Sequence, residues 1–328
     1  MISGNIGDYL DGVKTVAIAG HVNPDGDCVG SVLGMKMYLE DNYTELQVDA
    51  YLENLRDVFR FLRGSDEVRM TAEEGKAYDL IILLDISSRD RIGVIQPLLP
   101  LADKILCFDH HVTNRDHYTW IFNYPEMSST AEVIYHYMDP DSISEKCAEA
   151  LYMGIAHDTG IFQYSSTSPV TMRVAANLME KGIPFSRIVD DTYYQKTYAQ
   201  NQIMGRTVME SILVFDGRLI IGYVKNKDMA FYGVEPKDMD GIVNELRNTI
   251  GVEVAIFMYE REPSVWKVSL RSRSYVDVSE VAQKFQGGGH VRAAGCTMHG
   301  SQYDVINNLT LYLEKELAPA EEEQTEKS

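Results

Sequence analysis

Short apolar runs, each followed closely by aspartate, recur along this sequence and limit the folds open to it. Three of them have the length and composition of a buried strand and end at Gly20, Leu84 and Phe108. In a parallel sheet the carboxyl ends of the strands share one edge, which is where open α/β folds place their ligands. The pattern therefore predicts an α/β fold whose N-terminal domain contains a doubly wound parallel sheet.

The aspartates that follow the apolar runs would converge at that edge. They are Asp25, Asp27, Asp85, Asp109 and, after a fourth apolar stretch, Asp158. Five carboxylates so close together would repel each other strongly, and bound cations would remove that repulsion. Carboxylate together with imidazole suits manganese, magnesium, iron or zinc. We interpret the pattern as a binuclear metal centre.

Each stretch taken alone also has an ordinary structural explanation. Asp25 and Asp27 could cap a helix, Asp85 could cap the next turn, and Asp109-His110-His111 could be a polar turn after a strand. The recurrence of the pattern in four places favours the metal site.

Composition excludes several classes of function. The 328 residues predict roughly two domains, and a net charge of −19 argues against binding to duplex DNA or an anionic membrane. No signal peptide or spanning segment is recognisable. The four cysteines lack metal-ligand spacing, which is typical of buried thiols in a reducing compartment. We expect a soluble cytoplasmic protein.

The order of these motifs resembles the DHH phosphoesterase family. The four motifs of that family are matched by His21-x-x-x-Asp25-x-Asp27, by Asp85, by Asp109-His110-His111 and by Asp158. The signature of the DHH-associated C-terminal domain is matched by Gly287-Gly288-Gly289-His290 followed by Ala293-Ala294-Gly295. The resemblance extends over the chain and is greatest to the NrnA-type nanoRNases and pAp phosphatases.

The resemblance implies a set of roles for the first domain. One metal would be held by His21, Asp25 and Asp85, and the other by Asp27, Asp85, His110 and Asp158. The ions would be two divalent cations, with Mn²⁺ favoured and Mg²⁺, Fe²⁺ and Co²⁺ left open. His111 would contact the scissile phosphate and assist the leaving oxygen, while Asp109 orients the histidines. The family usually has Thr where this chain has His157, which leaves open whether His157 supports a ligand or is only a neighbour.

Substrate-binding residues are expected in both domains. The resemblance places Ser128 and Ser129 near the substrate. The segment Ser264–Gly295 contains five basic residues and two acids, in contrast to the acidic whole. Within this segment we expect substrate phosphates to be held by Arg271, Ser272, Gly288, Gly289 and His290. The glycine-rich stretch alone could also be the turn that ends a helix, but His290 beside it and Arg271 nearby favour phosphate recognition.

The predicted domains are a metal-binding catalytic domain over 1–190 and a smaller α/β domain with a mixed sheet over 206–318. A linker at 191–205 joins them, the acidic tail at 319–328 is expected to be disordered, and the active site is expected in the interdomain cleft.

The function predicted from these observations is that of a manganese-dependent phosphodiesterase. It would hydrolyse very short RNA oligonucleotides, and pAp, to nucleoside monophosphates. Cleavage of pApA or cyclic di-AMP by the same residues is an alternative, and a nucleotide sensor without turnover is another. Cleavage polarity is left open, as is assembly into a homodimer.

Overall fold

The computed structural model describes residues 4–112, 114 and 118–317, with the backbone alone for His290. The chain divides into two compact units between Gln195 and Lys196. This division falls inside the predicted linker, 191–205, which is largely helical: Asp190–Tyr194 is a π-helix and the next helix begins at Tyr198. The predicted tail, 319–328, lies outside the described residues. In the described part of the chain no helix is both long and apolar enough to cross a membrane.

The first unit is built on a five-stranded parallel sheet in the order β2-β1-β3-β4-β5. Its strands are β1 Thr15–Ala19, β2 Gln47–Tyr51, β3 Tyr78–Leu84, β4 Ala102–Asp109 and β5 Trp120–Asn123. The three apolar runs identified in the sequence are β1, β3 and β4, which lie side by side. The predicted parallel sheet is confirmed.

Five helices follow the strands of this unit. They are α1 Gly26–Asn42, α2 Thr130–Tyr135, α3 Glu145–Asp158, α4 Pro169–Met179 and α5 Phe185–Val189. The main core lies between these helices and one face of the sheet. A smaller core covers the other face with the help of short 3₁₀ segments such as Gln96–Leu101.

Close packing of α1 against α3 fixes the position of the fourth motif. Gly30 permits the approach, because a Cβ on this residue would lie 2.5 Å from the Ala150 carbonyl oxygen. Further along α3, a Cβ on Gly154 would lie 3.0 Å from an Asp27 carboxylate oxygen. The last turn of α3, which ends at Asp158, is thereby held beside the first turn of α1.

The second unit contains a six-stranded sheet in the order β10-β11-β9-β8-β7-β6. Its strands are β6 Ile212–Val214, β7 Leu219–Val224, β8 Val254–Glu262, β9 Val265–Ser272, β10 Gly288–His290 and β11 Ala293–His299. All neighbours are antiparallel except β7 and β8. The predicted mixed sheet is confirmed, as is the β6–β7 hairpin that turns at Asp216-Gly217.

Helices cover both faces of this sheet. They are α6 Tyr198–Met209, α7 Asn226–Tyr232, α8 Ile242–Arg247, α9 Val278–Lys284 and α10 Gln302–Glu316. One face packs against α9 and α10, and part of the other packs against α6, α7 and α8. The continuous helix predicted for Met239–Thr249 is wrong: Gly241, with φ of +88°, separates a 3₁₀ turn ending at Met239 from α8.

Candidate metal centre

Three motif residues meet where β1, β3 and β4 end. His21 follows β1, Asp85 follows β3 directly, and Asp109 is the last residue of β4. Because these strands are parallel neighbours, their carboxyl ends share one edge. His21 Nε2 lies 3.4 Å from Asp85 Oδ2 although the two residues are far apart in sequence.

Asp85 lies at the middle of the site and is only 2% exposed. Its Oδ2 faces His21, while its Oδ1 lies 3.8 Å from His110 Nε2 and 3.6 Å from His111 Nδ1. The two oxygens of one carboxylate thus face two different groups of imidazoles. This arrangement is what a ligand shared by two cations requires.

A second group of donors lies on the His110 side. Ligand atoms of Asp27, His110 and Asp158 all lie within 4.8 Å of one another. Within this group, His110 Nε2 lies 3.2 Å from Asp158 Oδ2. Asp27 is buried, and its two carboxylate oxygens also accept hydrogen bonds from the backbone N–H groups of Thr130 (2.7 Å) and Ala131 (3.0 Å).

The charges of these groups are in conflict. Burial, and then the negative charge of Asp85, raise the pKa of Asp27 and of Asp158 well above the usual value for aspartate. Asp85 is also buried, yet its bond to His21 and the charges of His111 and His110 lower its pKa. A divalent cation would stabilise all three carboxylates in their charged form. The donor set of carboxylate oxygen and imidazole nitrogen fits such an ion.

His21 is held in an orientation suited to metal binding through Nε2. Its Nδ1 lies 2.8 Å from the Val22 carbonyl oxygen, to which a protonated Nδ1 donates. That tautomer leaves Nε2 unprotonated and able to bind a metal. Arg91 Nη2, 2.9 Å from the same Nδ1, could donate to it only in the other tautomer, so metal binding through Nε2 selects the bond to Val22. Asp25 Oδ2 is 3.7 Å from Nε2, while Asp25 Oδ1 caps α1 by accepting from the N–H groups of Asp27 and Cys28.

Three neighbours of the site were missed by sequence reasoning. Arg91 Nη2 lies 2.9 Å from His21 Nδ1, so a basic side chain stands beside the acids of the centre. Cys28 Sγ lies within 4.8 Å of ligand atoms of His21 and Asp85. Thr130 Oγ1 donates to Asp85 Oδ1 at 3.0 Å. Arg91 lies only six residues after Asp85, but its contact with His21, 70 residues away, could not be read from a local pattern.

Asp109 orients His111. Asp109 is fully buried, and its Oδ1 lies 2.8 Å from His111 Nδ1 while its Oδ2 accepts from Asn114 at 2.8 Å. Burial disfavours the imidazolium, but the bond to Asp109 outweighs it and raises the pKa of His111 to about 9. His110 is placed differently, with its Nδ1 3.3 Å from the Met127 carbonyl oxygen. Asp109 therefore contacts one of the two histidines it was expected to orient.

The contacts of the His157 ring are with residues outside the two donor groups. Its Nε2 lies 2.8 Å from Thr192 Oγ1, and its ring packs edge-on against Phe59 and Tyr193. Burial lowers its pKa to about 4, so it is neutral at physiological pH. These contacts make His157 a packing neighbour of Asp158.

Ser128 and Ser129 are buried at the start of α2. The Ser128 hydroxyl donates to the Glu132 carboxylate, and the Ser129 hydroxyl accepts from the Glu132 N–H. Both hydroxyls thus have partners within the same turn. Their expected proximity to substrate stays a prediction.

The candidate substrate residues of the second unit lie on two strands, β9 and β10, which both pair with β11. Arg271 and the buried Ser272 end β9, and Gly288 and Gly289 lie in β10, paired with β11. Gly288 and Gly289 therefore lie in an edge strand, while Gly287 belongs to the turn that ends α9 and donates its N–H to the Ala282 carbonyl oxygen at 2.9 Å. The His290 backbone belongs to the same strand, and its side chain lies outside the described residues.

Both units match known families. Residues 15–155 match the model described as the DHH family N-terminal domain, and residues 216–316 match the DHHA1 domain. The chain is 30% identical to the bifunctional oligoribonuclease and PAP phosphatase NrnA of Thermus thermophilus, covering 88% of this chain and 86% of that protein. It is 26% identical to the protein of the same name from Bacillus subtilis, with 87% and 90% covered.

A solved structure has the same fold. The crystal structure of an exopolyphosphatase-related protein from Bacteroides fragilis superposes with a TM-score of 0.88 and 24% sequence identity. The match covers 95% of each chain. It shows that the arrangement of strands and helices described above is shared.

Proposed function

This chain belongs to the DHH family of phosphoester hydrolases, and on that premise we propose that it is a metal-dependent phosphodiesterase that releases nucleoside monophosphates from very short RNA. The observation that carries the proposal is the pair of donor groups that share Asp85. The two relatives named above are both described as bifunctional oligoribonucleases and PAP phosphatases. We propose both activities for this chain.

Two divalent ions, which we propose to be Mn²⁺, would occupy the two groups. His21, Asp25 and Asp85 would hold the first, and Asp27, Asp85, His110 and Asp158 the second. When bound, such ions lower the pKa of a water molecule and neutralise charge on a phosphoryl group. Mg²⁺, Fe²⁺ and Co²⁺ have compatible ligand preferences and compete according to availability.

His111 would act directly on the substrate. Its Nδ1 is tied to the buried Asp109 carboxylate, a bond that favours the protonated imidazole. Its Nε2 is then the atom that can donate a proton to the scissile phosphate and to the leaving oxygen. Asp109 holds the ring in this orientation and stabilises its charge, so both residues belong to the proposed catalytic machinery.

Residues of the second unit would bind substrate phosphates. The Arg271 guanidinium offers a planar fork suited to phosphate oxygens. Gly288 and Gly289 have no side chains, so a phosphate could approach their backbone N–H groups closely. We propose that Ser272, His290, Ser128 and Ser129 assist. The four free cysteines support a reducing compartment, and we place the enzyme in the cytoplasm.

The test is a substrate panel with purified protein and added Mn²⁺. It contains pAp, 5′-pApA, a five-nucleotide RNA, a long single strand, cyclic di-AMP and pyrophosphate. We expect rapid release of monophosphates from the short RNAs and of phosphate from pAp. Preference for pApA or cyclic di-AMP would contradict the proposed substrate, and tight nucleotide binding without turnover would contradict the proposed activity.

A further inference from the structure

One face of the second unit carries basic and hydroxyl side chains in place of a hydrophobic core. Along β9, every second residue is half-exposed while the residues between them are buried. The half-exposed set is Val265, Lys267, Ser269 and Arg271. Strand β11 pairs with β9 and adds to the same face Ala293, Gly295, Thr297 and His299. We name these eight residues the β9–β11 face.

Beside Arg271 and Ser269 the β9–β11 face ends at the next strand, whereas the half-exposed Tyr259 of β8 continues it opposite Lys267. The opposite side of both strands belongs to the core, with Val268 and Leu270 fully buried. On the same side of the sheet, the next strand contributes Ala255 and Phe257, which are buried among residues of α8. The exposure of the β9–β11 face is therefore a local feature and not the general state of this sheet.

The charge of this face is opposite to that of the chain. The protein carries a net charge of −19, yet none of the eight residues of the face is acidic. Among the residues that the structure describes, no carboxylate lies within ion-pairing distance of Lys267 Nζ. A half-buried lysine without a carboxylate partner, next to exposed hydroxyls, favours an anionic ligand over a structural role.

The spacing along β9 matches a polyanion with regular charges. Side chains on one face of a strand repeat every ~6.6 Å, so Arg271 and Lys267 are separated by ~13 Å with Ser269 midway. Adjacent phosphates of an oligonucleotide are separated by one sugar, which has about the length of two strand residues. Three consecutive phosphates can therefore lie over Arg271, Ser269 and Lys267. The small Ala293 and Gly295 beside them leave room for the sugars.

We propose that Arg271, Ser269 and Lys267 form a phosphate track for a single-stranded oligonucleotide, in which Lys267 binds the third phosphate. The proposal rests on the proposed function, because it takes Arg271 as the position of a substrate phosphate. A ligand with two phosphates, such as pAp or 5′-pApA, occupies Arg271 and Ser269 and does not reach Lys267. Lys267 then determines specificity by substrate length.

The test compares Lys267→Gln with wild type over a series of 5′-phosphorylated RNAs of two, three, four and five nucleotides, together with pAp. We expect the KM for three or more nucleotides to rise about fivefold to tenfold, with kcat unchanged, since one phosphate contact is lost away from the metals. The dependence of log KM on log salt should fall by about 0.7 for these lengths. The values for pAp and the dinucleotide should not change.

Two further variants control for charge and folding. Lys267→Arg keeps the cation and should restore the wild-type KM. Lys315→Gln removes one positive charge from α10, which packs on the opposite side of the sheet, and should leave every length unaffected. An equal loss at all lengths, or no loss at any length, would overturn the phosphate track.

Equilibrium binding separates this proposal from the proposed function. Fluorescence anisotropy of labelled oligonucleotides in EDTA measures affinity without turnover. If wild type hydrolyses none of the RNAs but Lys267→Gln still weakens binding only at three or more nucleotides, the proposed function fails and the track stands. If hydrolysis is normal and the binding of all lengths is insensitive to Lys267, the track fails alone.

Discussion

Asp85 has a backbone conformation that few residues other than glycine adopt. Its φ of +61° lies in the left-handed region, where aspartate and asparagine are the best tolerated of the residues with a side chain. Strained backbone conformations cluster at functional sites, where a side chain must be held in one direction. Here the conformation directs one carboxylate toward His21, His110 and His111 at once.

Asp85→Asn is therefore the sharpest single test of the shared ligand. Asparagine tolerates the same φ, whereas alanine would add strain, so loss of function in Asp85→Asn reports the missing charge. We expect hydrolysis to fall by about 10³-fold, the equivalent of several kcal/mol. Metal content measured by mass spectrometry should fall with it.

Asp103→Asn, on an exposed position of β4, is the matched control and should retain both activity and metal. An Asp85→Asn protein that keeps two ions per chain would show that the two sites do not share this residue.

A steric relation between Gly20 and Cys28 gives a second test at the residue scale. A Cβ on Gly20 would lie 2.1 Å from Cys28 Sγ, so Gly20→Ala forces the thiol and the first turn of α1 to move. Overpacking of this kind costs about 1–3 kcal/mol. We expect Cys28→Ala to relieve much of that cost, which makes the double variant more stable than the sum of the single changes predicts.

Urea denaturation of the four proteins measures this coupling. Changes in the free energy of unfolding that add within ~0.5 kcal/mol would mean that the two residues do not compete for space.

Helix α2 is the element that joins the two donor groups. Its first-turn N–H groups at Thr130 and Ala131 bind Asp27, and the Thr130 hydroxyl binds Asp85. The first turn of this short helix therefore positions both Asp27 of the first motif and Asp85 of the second. Partners that hold metal ligands commonly affect metal affinity by about 10- to 100-fold.

Thr130→Val keeps the shape of the side chain and removes its hydroxyl. We expect metal affinity, measured by competition with a chelating dye, to fall about tenfold. Thr130→Ser retains the hydroxyl and should behave like wild type. If Thr130→Val binds metal normally, the hydrogen bond to Asp85 has no part in ordering the centre.

In the second unit, Glu253 holds the turn that follows β9. Its carboxylate accepts from the N–H groups of Ser274 (3.0 Å), Tyr275 (2.7 Å) and Val276 (3.0 Å) and from the Ser274 hydroxyl. Burial raises the pKa of Glu253, but these hydrogen bonds outweigh it and lower the pKa below the usual value for glutamate.

A lowered folded-state pKa makes the stability of this unit depend on pH in one direction. The charged carboxylate contributes its stability above the unfolded pKa, and that contribution is lost as the pH falls through the folded pKa. Between about pH 5 and pH 3 we expect wild type to lose about 1–2 kcal/mol more than Glu253→Gln. Urea unfolding at a series of pH values measures the difference, and parallel pH profiles would contradict it.

At the scale of the whole molecule, the parts that sequence could predict are those fixed by local patterns. The apolar runs predict the buried strands and place an aspartate after each of them. The Asp216-Gly217 dipeptide predicts the turn of the hairpin. Contacts such as Arg91 with His21, or Thr130 with Asp85, depend on packing between segments 70 and 45 residues apart. No local pattern encodes them.

The two units divide the proposed work. All six predicted metal ligands precede Gln195, and the basic segment that would bind substrate phosphates follows Lys196. An acidic chain of net charge −19 would thus combine a cation site in one unit with a local anion site in the other. The central claim for the molecule is that the first unit holds two metal ions around Asp85.

Anomalous diffraction from crystals soaked in Mn²⁺ tests that claim most directly. We predict two peaks about 3.5–4 Å apart on either side of the Asp85 carboxylate, one beside His21 and the other beside His110 and Asp158. A single peak, or two peaks that do not share Asp85, would contradict the account.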